Sequence, residues 1–563
     1  MRRWRWLGAA LAAGLVVLGC HKDDTAAATV ALRSAVAAKP PPRGVPAAHW
    51  RVVRTIYADR AAAPLWLDGD RPSDRARELV QALCHADAQG LRPRDYDLAA
   101  LERALAAAEA KDHGPAALAE LDLRLTALFV DYGGDLLAGR LDPRAVDSGW
   151  YIKDRRRSVD STLRVAAQAP TFAKMLTPLA PGRRDYADLV DWLARYRRIA
   201  EAGGWPAIPG KGPIRPGDRG PRVAALRARL AATGDLDSAA VTAGAAPYDR
   251  TLAAAVARFR ARHGLGAEGA AGGIVDAATL AALDVPAESR VRQIELNLER
   301  LRWLPHDFGP RYVLVNIPDY QLHAYDGGKE VLTMRVIVGK QYENATPVFA
   351  DTMSYVVFHP RWNVPRSIVA NEIIPKMQAD VRWAAEHGYE IVDPKRDTVV
   401  DPGSIDWKGV DTATFAFGVR QKPGPDNSLG RIKFMFPNSF DIYLHDTPAK
   451  QLFDRRERDF SHGCVRVEEP ERLAQYVFAG DPAWSAGKIH AALVEDTATV
   501  QAKVPQRLPV YLVYLTAFSR NGTLEFRDDP YGADRRALAR LGRVEADTAT
   551  RSRCARLLER LKR

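Results

Sequence analysis

Cysteine is scarce in this chain, with four in 563 residues. Cys20, Cys84, Cys464 and Cys554 each stand in a separate context, so no dense disulfide framework is implied. An oxidising compartment would permit a Cys84–Cys554 bridge, but nothing in the sequence leads to expect one. The chain has no Cys-x-x-Cys pair, no His-Glu-x-x-His and no His/Cys cluster at zinc spacing, which leaves a zinc peptidase unsupported. The apolar run Leu7–Gly19 is only thirteen residues long, too short to span a bilayer comfortably. Charge is one-sided, with 81 basic against 69 acidic residues, a net +12 and a pI near 9.5. The basic residues are dispersed and no basic stripe is interleaved with aromatics, so nucleic acid is not an expected partner. Such a surplus suits an anionic polymer or a membrane surface.

What is present gathers around Ser461-His462-Gly463-Cys464-Val465-Arg466-Val467, with a second histidine in Ile442-Tyr443-Leu444-His445-Asp446. A thiol with imidazoles in reach is the minimum kit for nucleophilic acyl transfer: the thiolate attacks a carbonyl, and an imidazole takes its proton and later gives it to the leaving amine. Gly463 removes a Cβ beside the thiol, so a substrate backbone can come close and main-chain amides can face a developing oxyanion. His445 and His462 are both candidate bases, and one suffices. His462 otherwise reads as a structural hydrogen bond or substrate contact, and Ser461 as a turn residue. Arg466, two residues beyond the thiol, reads as a fork for a substrate carboxylate or as one half of an ion pair.

These residues resemble the L,D-transpeptidase (YkuD-type) family of bacterial cell-wall enzymes. That family carries a histidine, a spacer, then Ser/Thr-His-Gly-Cys and an Asn or Arg two positions on. Here fifteen residues, Asp446 to Phe460, separate His445 from Ser461, and Arg466 fills the last place. The resemblance implies Cys464 as nucleophile and His445 as general base, with a backbone carbonyl near Asp446 orienting the imidazole. His462, Gly463 and Ser461 would support the site and its oxyanion. Arg466, Tyr443 and Trp362 would meet substrate, and Phe434 and Phe436 would pack beneath. Gly339-Lys340 with Thr346-Pro347, and His359-Pro360-Arg361-Trp362-Asn363-Val364-Pro365, match further family stretches, with His359 where Asn is usual.

The expected fold class is multidomain α+β: a helical scaffold domain, a small three-helix domain and a β-rich catalytic domain with a helical lid insertion. Residues 1–20 read as a signal ending in a lipobox-like Val17-Leu18-Gly19-Cys20, with Cys20 as the lipidated residue. Residues 21–48, rich in Ala, Pro and Lys, read as a disordered tether. Helical periodicity, such as Leu121, Leu125 and Leu128, marks a scaffold over 49–205, with Tyr132-Gly133-Gly134 expected to interrupt a helix that starts near Ala116. Residues 206–288 resemble the three-helix peptidoglycan-binding domain through Phe259, His263, Gly264, Leu265 and Thr279-Leu280, although Arg260 replaces the usual glutamine. Residues 289–310 read as a linking helix, 311–530 as the catalytic domain with its lid at about 366–425, and 531–563 as a basic helical tail.

The function expected from this resemblance is 3→3 cross-linking of peptidoglycan through a cysteinyl thioester. The bond cleaved would join meso-diaminopimelate to the terminal D-alanine of a tetrapeptide donor. No metal or organic cofactor is implied. Expected partners are peptidoglycan stem peptides and glycan, with cell-wall synthases admissible. The expected place is the periplasm, with membrane contact only through the N-terminal anchor. The same site could instead attach or release a wall-linked protein, and an inert thiol would leave a non-catalytic wall-binding protein.

Overall fold

The computed structural model describes residues 20–38, 41, 45, 47–153, 159–241, 246–266, 273–495, 497–542 and 547–562. The signal and the residues of the lipobox before Cys20 lie outside the described residues, as does the Cys20 side chain. The chain is multidomain α+β, with four buried apolar clusters among the described residues.

The first cluster belongs to a helical domain built on Pro115–Ala138, a helix buried along most of its length. It runs unbroken through Tyr132-Gly133-Gly134, against expectation. A Cβ on Gly133 would come within 3.0 Å of Leu179 and closer still to Leu163, so the glycine permits close helix approach rather than ending the helix. Residues 21–37, expected as part of a tether, lie in the helix Cys20–Ala37, and Ala28 and Leu32 are fully buried in the same cluster. Ala31, Ala35 and Val36 pack beside them partly buried, so the helix seats one apolar stripe at helical spacing.

The C-terminal tail is likewise more than a basic appendage. Its helix Thr548–Arg560 buries Cys554 and Leu557 in the helical domain and is joined to Asp74–Cys84 by a Cys84–Cys554 disulfide across 470 residues. Arg556 and Arg553 reach Glu102, and Arg560 reaches Glu109. The Cys84–Cys554 bridge, which an oxidising compartment would permit, is present because a distant helix docks beside Cys84.

Residues 208–283 hold a three-helix unit, with Asp249 and Asp276 capping two of its helices through the Leu252 and Thr279 amides. Arg260 is buried here and donates to Asp276 (3.0 Å) and to the Leu265 carbonyl (3.2 Å). His263 is also buried, stacked between Phe259 and Phe526, so this unit packs its His263 side against the β-rich domain. The helix Ala287–Trp303 follows. It is apolar on more than one side, and Arg300 and Arg302 are buried too, because it passes between the helical domain and the sheet.

The β-rich domain closes a sheet into a ring. Its strands are β1 (Arg311–Asn316), β2 (Gln321–Asp326), β3 (Lys329–Gly339), β4 (Phe349–Phe358), β5 (Ile432–Met435), β6 (Leu444–His445), β7 (Asp459–Ser461), β8 (Val465–Val467) and β9 (Val500–Val513). The ring order is β3-β8-β6-β5-β4-β9-β1-β2 and back to β3, with β7 alongside the end of β3. Most pairs are antiparallel; β6–β8, β9–β1 and β7–β3 are parallel. Closure leaves the ring without a free edge.

Between β4 and β5 the chain leaves the ring for the lid, which has its own core of Ile368, Ile373, Ile374, Met377, Ile391, Trp407 and Val419. The lid is mixed rather than helical. Short helical turns accompany a sheet whose strands neighbour one another in the order Trp362–Asn363, Gly418–Gln421, Tyr389–Asp393 and Thr398–Val400. A four-stranded sheet hides in this stretch because each of its strands is only two to five residues long.

Candidate active site

Neighbouring residues on a strand point to opposite faces. Leu444 on β6 and Val465 on β8 are register partners, and both are fully buried in the ring core beside Phe434 of β5. His445 and Arg466 therefore lie on the opposite face, with Lys433, the partner of His445 on β5. Tyr443 and Cys464, two residues before His445 and Arg466, share that face. The Tyr443 and His445 rings are 5.7 Å apart, and Lys433 Nζ stands 5.5 Å from the Tyr443 ring centre. His445 on β6 and Cys464, the residue just before β8, thus share one face although nineteen positions separate them.

The His445 ring is buried, and its Nδ1 donates to the Asp446 carbonyl at 2.5 Å. A carbonyl only accepts, so Nδ1 carries the proton and Nε2 keeps the lone pair. The Asp446 carboxylate is engaged elsewhere, by Lys450 (2.6 Å) and the Arg431 amide (2.9 Å). Burial, then the Arg466 and Lys433 cations, push the imidazole pKa down to about 3, so the ring is neutral at ordinary pH.

Cys464 is a free, half-buried thiol that donates to the Asp441 carbonyl at 3.6 Å, rather than to His445. Burial pushes its pKa up to about 11, against the pull of the Tyr443 amide, the Tyr443 hydroxyl and Arg466. Asp441 itself adopts φ +54, a left-handed conformation that aspartate tolerates better than most residues. Its carbonyl is thereby turned toward the sulfur.

The turn before Cys464 is stitched by Ser461, whose hydroxyl donates to the Cys464 carbonyl (2.5 Å) and accepts from the Gly463 amide (3.2 Å). Gly463 has φ +113, a region closed to most side chains, and a Cβ there would sit 3.1 Å from Ile442. Thr346 ties this turn to the Gly339 stretch. Its hydroxyl donates to the Gly463 carbonyl (2.7 Å) and accepts from the Gly339 amide (2.8 Å).

Arg466 is half-buried, and its Nε is enclosed with no hydrogen-bond partner. Among the described residues no carboxylate lies within ion-pair distance of it. The lid touches the site twice. Trp362 acts on the Tyr443 hydroxyl, drawing its pKa down against the larger effect of burial, and Glu372 Oε1 lies 2.7 Å from His462 Nε2. His462 therefore faces the lid, while His445 lies on the strand face with the thiol. Phe434 and Phe436 are fully buried beneath.

Sequence reasoning missed Lys433, Asp441, Glu372 and the scaffold's approach. Tyr151 N donates to the Val348 carbonyl (2.7 Å), and the Tyr151 ring lies 4.4 Å from Phe440, next to Asp441. Only Lys433 left a signal, since it alternates with Ile432 and Phe434 in a short strand. The arrangement can activate a thiol with a neutral imidazole, seat a carboxylate on Arg466 and cover both with the lid.

Residues 310–484 match the L,D-transpeptidase catalytic domain family, YkuD, and residues 51–193 match the Scaffold domain family. Over 249 residues the chain is 41% identical to a Haemophilus influenzae protein provisionally named an L,D-transpeptidase, covering 44% of this chain and 49% of that one. The chain thus spans about half the length of that curated relative. An L,D-transpeptidase of known structure from Xylanimonas cellulosilytica is 16% identical, with a TM-score of 0.17, over 54% of this chain and 99% of that one. A score that low carries no argument about this fold.

Proposed function

We propose that this chain, whose residues 310–484 are an L,D-transpeptidase catalytic domain, forms 3→3 cross-links in peptidoglycan through a thioester on Cys464. The observation that carries the reading is the shared face of His445, on β6, and Cys464, at the entry to the paired strand β8, with Arg466 and its enclosed Nε beside them.

In the first half-reaction the donor is a tetrapeptide stem. His445 takes the thiol proton through Nε2, and the sulfur attacks the carbonyl of meso-diaminopimelate. The oxyanion forms against main-chain amides near Gly463. The bond to D-alanine breaks, and the imidazolium returns its proton to the leaving amine. Because imidazole and thiol are both neutral at rest, the proton moves only as the sulfur attacks. Arg466 holds a stem carboxylate, while Tyr443 and Trp362 line the approach. In the second half-reaction the side-chain amine of another stem resolves the thioester under the lid, which limits competing water.

The chain acts outside the cytoplasm on this reading. The Cys84–Cys554 disulfide supports an oxidising compartment. Cys20 is the residue a lipid anchor would use, and the synthases that make the glycan are the partners that such an enzyme would work beside.

The experiment is incubation of purified disaccharide-tetrapeptide with the protein and with Cys464→Ala, followed by mass spectrometry. Released D-alanine and a 3→3 dimer, both absent with the variant, are the expected products. Tripeptide without dimer would turn the reading into a hydrolase. Identical products from both proteins would end it.

A further inference from the structure

The lid brings one carboxylate to the site for which the scheme above has no use. Glu372 lies in Val369–Ile373, a π-helical turn between the short helices Arg366–Ile368 and Ile374–Ala379. Such wide turns cost helix hydrogen bonding and recur at functional positions, because they re-aim a side chain. Here the turn delivers Glu372 to His462, two residues before Cys464, at 2.7 Å. Both side chains remain open to solvent, at 40% and 44%. The Glu372 charge also acts on the Arg466 guanidinium, two residues beyond the thiol.

The nearby alternatives are less suited. The Asp446 carboxylate is occupied by Lys450 and the Arg431 amide. Asp441 is exposed and faces the thiol with its carbonyl, while its carboxylate only raises the thiol pKa. Lys433 and Arg466 are cations, and both would repel an incoming ammonium. An acceptor amine with an ordinary pKa near 10 arrives as an ammonium and must lose a proton before it can attack.

We propose that Glu372, backed by His462, receives the acceptor's ammonium in the transfer half-reaction; this rests on the acyl-enzyme reading above. The ammonium gives one proton to the Glu372–His462 pair, which passes it to solvent. The freed amine attacks the thioester carbonyl, the C–S bond breaks, and the second amine proton reaches the departing thiolate through His445. The balance is thioester plus ammonium giving amide, thiol and one released proton. Because Glu372 is carried by the lid, the group that selects an amine over water arrives with lid closure.

The test compares wild type, Glu372→Gln, Glu372→Asp and Asp441→Asn on disaccharide-tetrapeptide, with D-alanine, dimer and tripeptide quantified by mass spectrometry. Glutamine keeps the size and a hydrogen bond to His462 but loses the charge. Its ratio of dimer to tripeptide is expected to fall by at least about tenfold, and aspartate to restore most of it. An unchanged ratio in Glu372→Gln, an equal loss of both products, or a ratio that falls only in Asp441→Asn would overturn the proposal. A wild type that releases no D-alanine would instead overturn the acyl-enzyme reading, and Glu372's part with it. D-alanine release with an unaltered ratio in Glu372→Gln removes Glu372 alone.

Discussion

His445 and Arg466 are register partners on adjacent parallel strands, so a guanidinium stands beside the buried imidazole. Burial first, and that cation second, hold the ring neutral with a pKa of about 3, while burial holds the thiol protonated up to about 11. The resting site is a neutral pair rather than a thiolate–imidazolium pair.

That state predicts the pH profile of Cys464 alkylation by iodoacetamide in the absence of substrate. The rate should climb by about tenfold per pH unit from pH 7 to 10, following the thiolate fraction. A plateau already reached at pH 7 would mean a preformed thiolate and would contradict the site as described.

The same shift makes a stability prediction. In the unfolded chain the His445 imidazole has its ordinary pKa of 6.5, and in the folded chain about 3. Between those values the unfolded state binds a proton that the folded state refuses. His445 therefore costs nothing above pH 6.5 and costs progressively more as pH falls toward 3. Urea unfolding at pH 7 and pH 5 should show a smaller loss in His445→Gln than in wild type.

Replacing His445 should abolish turnover while sparing the fold. In His445→Gln, dimer formation is expected to fall by at least about a hundredfold, the lower end for loss of a general base. Retention of more than a tenth of the wild-type rate, by mass spectrometry of products, would shift the base role to His462.

Gly339 is predicted to be intolerant for steric reasons. A Cβ there would overlap the Asn344 carbonyl oxygen and lie 2.9 Å from Gly463 Cα, in contact with the turn that presents the thiol. Gly339→Ala should cost about 1–3 kcal/mol, as overpacked cores do, and should slow acylation. Thermal unfolding together with D-alanine release checks both parts.

The Cys84–Cys554 disulfide fastens the tail helix to the helical domain. Cys84→Ser should lower stability by about 2–4 kcal/mol. Mass spectrometry under non-reducing conditions should find the bridged peptide in wild type. Free thiols at both positions would refute the pairing.

Local chemistry was legible where residues adjacent in sequence act together. The turn around Gly463, the Asp276 cap, the β-rich run from Tyr312 and the apolar faces of the scaffold helices could all be read directly. Elements that depend on a distant partner could not. The helix Cys20–Ala37 reads as a tether from its Ala-rich composition, and what Ala28 and Leu32 bury against lies about ninety residues on. The lid's sheet was hidden by strands of two to five residues, too short for alternation to register.

The sequence alone determined which atoms are available for chemistry: one thiol beside a glycine, two imidazoles and a guanidinium, at a spacing that resembles a known family. Tertiary structure alone decided which imidazole shares a face with the sulfur and which turns to the lid, that the Asp441 carbonyl meets the thiol and that Glu372 meets His462. The reason is the ring's strand register. A one-residue slip of β6 against β8 would send His445 into the core, and register is set by Leu444 and Val465 meeting across strands twenty-one residues apart.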